Sequence, residues 1–154
     1  MRITDIFLAF PNLLLAMAIA ATLRPGLRSA IIAITISWWP WYARLVRGKT
    51  MQLKTQPFVL ASISMGANYQ HIIIKHILPN CIGPVLVNAS LDMGYIILAT
   101  ASLGFIGVGA QPPLPEWGLM VSTGRKFFLD SPWIALFPGL AIFFTVLSFN
   151  LLGD

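Results

Sequence analysis

Four long apolar runs, about residues 3–23, 29–46, 79–108 and 132–152, constrain this chain more than any other feature. A helix of roughly 20 mostly apolar residues crosses the hydrocarbon of a bilayer. In lipid each backbone N–H and C=O must be satisfied within the structure, so such runs predict helices and an all-α polytopic membrane protein with about four spans. Composition agrees: 57% of the 154 residues are hydrophobic and 10% are charged, too few charges for a water-exposed surface of this size. The Met1-Arg2-Ile3 start has the outline of a secretory leader, but Asp5 interrupts the basic start, the apolar part is long, and no small-residue cleavage site ends it. Arg24-Pro25-Gly26 instead reads as a tight turn between spans. The third run is longer than a span needs, and Pro84, Gly94, Gly104, Gly107 and Gly109 predict that it bends or breaks before its end.

Charge places the connections. Ten Lys and Arg against five Asp and Glu give a basic chain, but the basic residues flank apolar runs and form no basic tract, which excludes a nucleic-acid partner. Arg2, Arg44, Arg47, Lys49, Lys54 and Lys75 fall on one side of the four spans, Arg24, Arg28, Arg125 and Lys126 on the other. The positive-inside rule then assigns Met1, the 47–78 connection and Asp154 to the cytoplasm, with 109–131 as an external loop. Trp38, Trp39, Trp41 and Tyr42 form either an interfacial belt beside Arg44 or part of the bundle packing. Cys81, alone, makes no intrachain disulfide. His71 and His76, at i and i+5, do not share a face of a regular helix, so no metal site is expected. With no G-x-x-x-x-G-K-[ST] loop, triad or paired carboxylates, the chain carries no catalytic residues and no cofactor, and does not itself hydrolyse ATP.

The 47–78 connection is too regular for a linker. Pro57 suits a first helical position, Phe58 to Met65 fill about two turns, and Gly66 supplies a stop or a left-handed turn. A second helical run, Tyr69 to Ile77, leads back to the membrane at Leu78-Pro79. Ser62 and Gly66 stand at i and i+4 with Ala61 and Met65 beside them, a small-residue strip for a partner's groove, and Phe58, Val59, Leu60 and Ile63 add apolar anchors.

Leu60-Ala61-Ser62, then Gly66 four residues on and Leu78-Pro79 twelve further, resembles the EAA loop of ATP-binding-cassette import permeases. Tyr42-Ala43-Arg44-Leu45-Val46-Arg47-Gly48, His76-Ile77-Leu78-Pro79-Asn80, Ala110-Gln111-Pro112-Pro113 with Glu116-Trp117-Gly118, Pro132-Trp133 and Phe149-Asn150-Leu151-Leu152-Gly153-Asp154 are similar to the dipeptide/oligopeptide/nickel branch. The resemblance covers essentially the whole chain. It implies a type I importer permease working as a heterodimer with a second permease subunit, two cytoplasmic ATP-binding subunits and an external substrate-binding protein, in a cell (inner) membrane. It also implies that the loop docks on the ATPase, and that the chain is N-terminally incomplete, with two further spans before the point matching Met1. Leu60 stands where the family has glutamate and removes the charge for an ion pair there, and Ser62 stands for alanine. Peptides are the expected substrate, with nickel complexes or oligosaccharides as alternatives. A truncated, non-transporting membrane scaffold is a further alternative, whereas the lack of clustered His, Asp or Glu argues against a membrane-embedded enzyme.

An ionisable residue within a span costs at least about 2.5 kcal/mol unless it meets water or a partner, so Asp92 is expected to face the bundle interior. It either lines a pathway and meets a peptide's amino group, or is a hydrogen-bonded structural carboxylate near Ser90 and Gly94. Asn88 poses the same choice, as do Thr100 and Ser102. On the outer side, prolines stiffen Gln111-Pro112-Pro113-Leu114-Pro115-Glu116-Trp117-Gly118. By resemblance the segment receives the binding protein, and otherwise it caps the bundle.

Overall fold

Pro11 sets the shape of the first apolar run. It donates no N–H and has a fixed φ, so the backbone leaves helical geometry there (φ −58°, ψ 125°) and the run divides into α1 (Arg2–Leu8) and α2 (Asn12–Thr22), inclined at 91°. The computed structural model describes residues 1–153, all helix and turn with no strand among them. The remaining helices are α3 (Leu27–Lys54), α4 (Pro57–Ser64), α5 (Tyr69–Ile72), α6 (Leu78–Ile106), α7 (Trp117–Gly124) and α8 (Trp133–Gly153). A π turn, Ile73–Ile77, joins α5 to α6, and a 3-10 turn, Arg125–Phe127, follows α7.

Among the described residues two helices are long and apolar enough to cross a membrane, Tyr69–Ile106 and Trp133–Leu152, and the bent α1–α2 pair is a third if counted as one span. The expected second span lies in α3, which is not among them. Its middle carries Trp38, Trp39, Pro40, Trp41 and Tyr42 and its end is basic, and packing against α1, α2 and α6 removes the need for an apolar surface all round. The helix also continues to Lys54, taking in the first residues of the expected 47–78 connection. The predicted break in the third run does not occur at Pro84 or Gly94: α6 continues to Ile106 and stops at Gly107, whose φ of 92° accommodates a left-handed cap. The expected external loop 109–131 contains a helix of its own, α7, wedged between α6 and α8.

Two buried clusters organise the chain. One, between α2, α3 and α6, consists of Ala16, Ala20, Ala30, Ala33, Ile34, Ala99 and Leu103. The other, at the far ends of α3 and α6, consists of Leu53, Val59, Ile72, Ile77 and Cys81.

Candidate functional site

The segment between α3 and α6 is built by local rules. Pro57 opens α4 at its first turn, following Gln56 in extended geometry. At its end the N–H of Gly66 donates to Ile63 O (2.9 Å) and that of Ala67 to Ser62 O (3.1 Å), the paired bonds of a Schellman cap, with Gly66 at φ 77°. The four-residue spacing from Ser62 to Gly66 is therefore the spacing of a helix stop. The Asn68 side chain then caps α5.

Pro79 accounts for the π turn before it. A proline ring clashes with the carbonyl four residues back, and widening the preceding turn relieves that clash. The N–H of Leu78 accordingly bonds Ile73 O, five residues back. One result was not legible from regular helical spacing: the π turn brings the rings of His71 and His76 to 5.7 Å, with Phe58 of α4 6.0 Å from His76. No third His, Cys, Asp or Glu completes a metal-binding group among the described residues.

Burial sorts the loop residues. Val59 (1% exposed) packs with Leu53, Ile72 and Ile77, and Ser62 (4%) is buried too, so Ser62 does not belong to an outward small-residue strip. The physical reason is helix phase: three residues apart, Val59 and Ser62 share the face opposite Leu60 and Ala61. Gly66 lies beyond the end of α4, and its role is the turn. The outward surface is larger and more apolar than expected, with Phe58, Leu60, Ala61, Ile63, Met65 (81% exposed) and Tyr69 (83%), together with Leu78 and Pro79 at the start of α6. A recess of about 590 Å³ lies between Val46 and Thr50 of α3 and Ile63, Tyr69, Ile73 and Leu78, with Cys81 in its wall.

Within the bundle, Asp92 sits midway along α6 and accepts two hydrogen bonds at Oδ2, from Tyr42 Oη (2.6 Å) and Trp38 Nε1 (3.3 Å), both on α3. Trp38 also packs on Tyr95 at 4.5 Å between ring centroids. The aromatic cluster is thus divided by helix phase: Trp38 and Tyr42 turn into the bundle, whereas Trp39 meets Phe7 and Trp41 is exposed. Asn88 satisfies itself locally, donating from Nδ2 to Pro84 O (2.9 Å). Ser90, Thr100 and Ser102 bond carbonyls four residues back on their own helix. At the start of the chain, Asp5 receives Arg44 Nη2 at 2.8 Å, an exposed ion pair joining α1 to α3.

The 111–118 segment divides in two. Pro112, Pro113 (joined by a cis peptide), Leu114, Pro115 and Trp117 are exposed. Gln111 and Glu116 point to the backbone: Gln111 donates to Gly107 O and Gly109 O, and Glu116 caps α7 by accepting from Gly118 N (2.9 Å) and Leu119 N (2.8 Å). Gly118 lies directly on Ala101 and Gly104 faces the Glu116 carboxylate, so α6 and α7 meet backbone to backbone. Sequence reading missed this role because a carboxylate in a Pro-rich loop gives no sign that a helix begins just after it.

Over residues 1–154 the chain matches the family described as "Binding-protein-dependent transport system inner membrane component". It is 50% identical over 153 residues to the dipeptide transport system permease protein DppC of Alkalihalophilus pseudofirmus, covering 99% of this chain and 50% of that protein. It is 48% identical over 154 residues to the glutathione transport system permease protein GsiD of Escherichia coli and of Shigella flexneri, covering all of this chain and 51% of each. The chain spans about half the length of these relatives. Its apolar helices, its loop motif and this agreement along the full chain lead to one conclusion: the chain belongs to the binding-protein-dependent inner-membrane permeases of ATP-binding-cassette importers.

Proposed function

We propose that this chain forms part of the translocation bundle of an ATP-driven importer of dipeptides or oligopeptides, and that its 47–78 segment is the cytoplasmic element engaged by an ATP-binding subunit. The observation that carries this reading is the outward apolar face of α4, with Leu60, Ile63 and Met65 exposed over a separate buried cluster that ties α4 to α3 and α6. A loop with its own core keeps its shape when pushed, and an exposed apolar face suits a groove in a partner. The basic residues Arg44, Arg47, Lys49, Lys54 and Lys75 at this end support a cytoplasmic location. Helix length supports it too: 28 residues of α3 extend about 42 Å at 1.5 Å per residue. The hydrocarbon is about 30 Å thick, so a helix of this length is long enough to carry the loop beyond it.

The remaining partners are a second permease subunit, a second ATP-binding subunit and the external binding protein. Pro112, Pro113 and Trp117 offer the last of these an exposed, stiff surface, while Glu116 and Gln111 hold that surface in place. Peptide cargo is proposed because the relatives are named for dipeptide and glutathione transport.

The test is uptake of labelled dipeptide by proteoliposomes containing this chain with its partner subunits and binding protein. ATP-dependent uptake is expected. Uptake of nickel complexes or oligosaccharides in place of peptides would replace the cargo, and assembly without any uptake would mean a scaffold.

A further inference from the structure

We propose that Asp92 is a positioning residue that joins α3 and α6 into one lever, so that displacement of the loop reaches the middle of the membrane. This rests on the coupling role proposed above for residues 47–78. The two helices run antiparallel from the loop and are held together at three levels. Near the loop, Leu53 of α3 shares a cluster with Ile77 and Cys81, and Thr50 Oγ1 lies 4.0 Å from Cys81 Sγ. Far from the loop, Ile34 shares a cluster with Leu103. Between these, a recess of about 510 Å³ opens beside the α3–α6 contact, with Thr35, Trp38, Trp39 and Tyr42 of α3 and Ile96 and Thr100 of α6 in its wall. A recess transmits no force.

At that weak middle level Tyr42 and Trp38 converge on one carboxylate oxygen of Asp92, and Trp38 stacks on Tyr95 one turn along α6. Two side-chain hydrogen bonds to one acceptor tie a helix pair at a defined point. The donors lie four residues apart on α3, so one acceptor fixes both the rotation and the axial register of α3 against α6. The role needs an acceptor and not a charge. That separates it from a carboxylate that meets a cationic cargo.

The experiment measures dipeptide taken up per ATP hydrolysed in proteoliposomes of the complete transporter. Asp92→Ala is expected to lower this ratio about tenfold with ATP hydrolysis retained, the effect of losing about one hydrogen bond from the coupling. Asp92→Asn, whose Oδ1 still accepts from both donors, is expected to restore it, and Tyr42→Phe to fall between. An unchanged ratio in Asp92→Ala, or Asn as defective as Ala, overturns the proposal. If the unaltered complex shows no uptake, the coupling reading fails separately, and the clasp is judged by melting in detergent. There Tyr42→Phe and Asp92→Ala should shift the midpoint non-additively, and additive shifts overturn it.

Discussion

The two buried clusters of this chain are built on opposite principles. The cluster between α2, α3 and α6 is mostly alanine, and the contacts of α7 with α6 and α8 rest on Gly118 and Gly124, each nearly backbone to backbone. The loop cluster has Leu53, Val59, Ile72 and Ile77, large aliphatics around Cys81. With the loop placed outside the bilayer, as the proposed function has it, solvent accounts for the difference. Lipid tails are as apolar as leucine, so helices in a bilayer gain little by hiding large side chains and gain more by close approach through small ones. Outside the hydrocarbon, burying aliphatic surface is again the main stabilising term, at about 25 cal/mol per Å². The packing style changes along α3 and α6, alanine at one end and Leu53 beside Ile77 and Cys81 at the other, which is the change that the proposed function expects where helices leave a membrane.

The comparison breaks most visibly at Gly118. A Cβ there collides with the Ala101 carbonyl, and since both sides are backbone the helices must separate. Gly118→Ala should destabilise the α6–α7 contact by about 3 kcal/mol, at the upper end for overpacking, and lower the melting temperature of the purified chain. A smaller and local effect is expected in the loop. Val59→Ala removes side-chain volume from a buried site and should cost about 2 kcal/mol. It should speed amide exchange in residues 57–77 while leaving exchange in α8 as it was. Equal changes in both regions would mean that the clusters are not separate units.

Much of this was legible in the sequence, and the exceptions have physical causes. The apolar runs 79–108 and 132–152 agree within two residues with the helices α6 and α8, since few polar residues interrupt either. Apolar length did not reveal that Pro11 divides the first run into two helices, nor that the outer loop holds α7, whose apolar content is hidden among glycines and prolines. In the loop, Pro57, Gly66 and Leu78-Pro79 announced its stops and starts because each acts through the backbone. The inward turn of Ser62 depends on which face of α4 packs inward, and the meeting of His71 with His76 on a widened turn; neither can be read from residue spacing alone. The Asp92 carboxylate was recognisable as a group needing a partner, but its donors lie 50 and 54 residues away.

The central claim is that the outward face of α4 is the surface engaged by an ATP-binding subunit. The most direct measurement is co-purification of that subunit with the unaltered chain and with Met65→Asp, a change at an 81% exposed side chain that leaves the loop cluster intact. Capture by the unaltered chain and its loss in Met65→Asp, with the two chains equally folded in detergent, is the predicted result. Equal capture by both would contradict it.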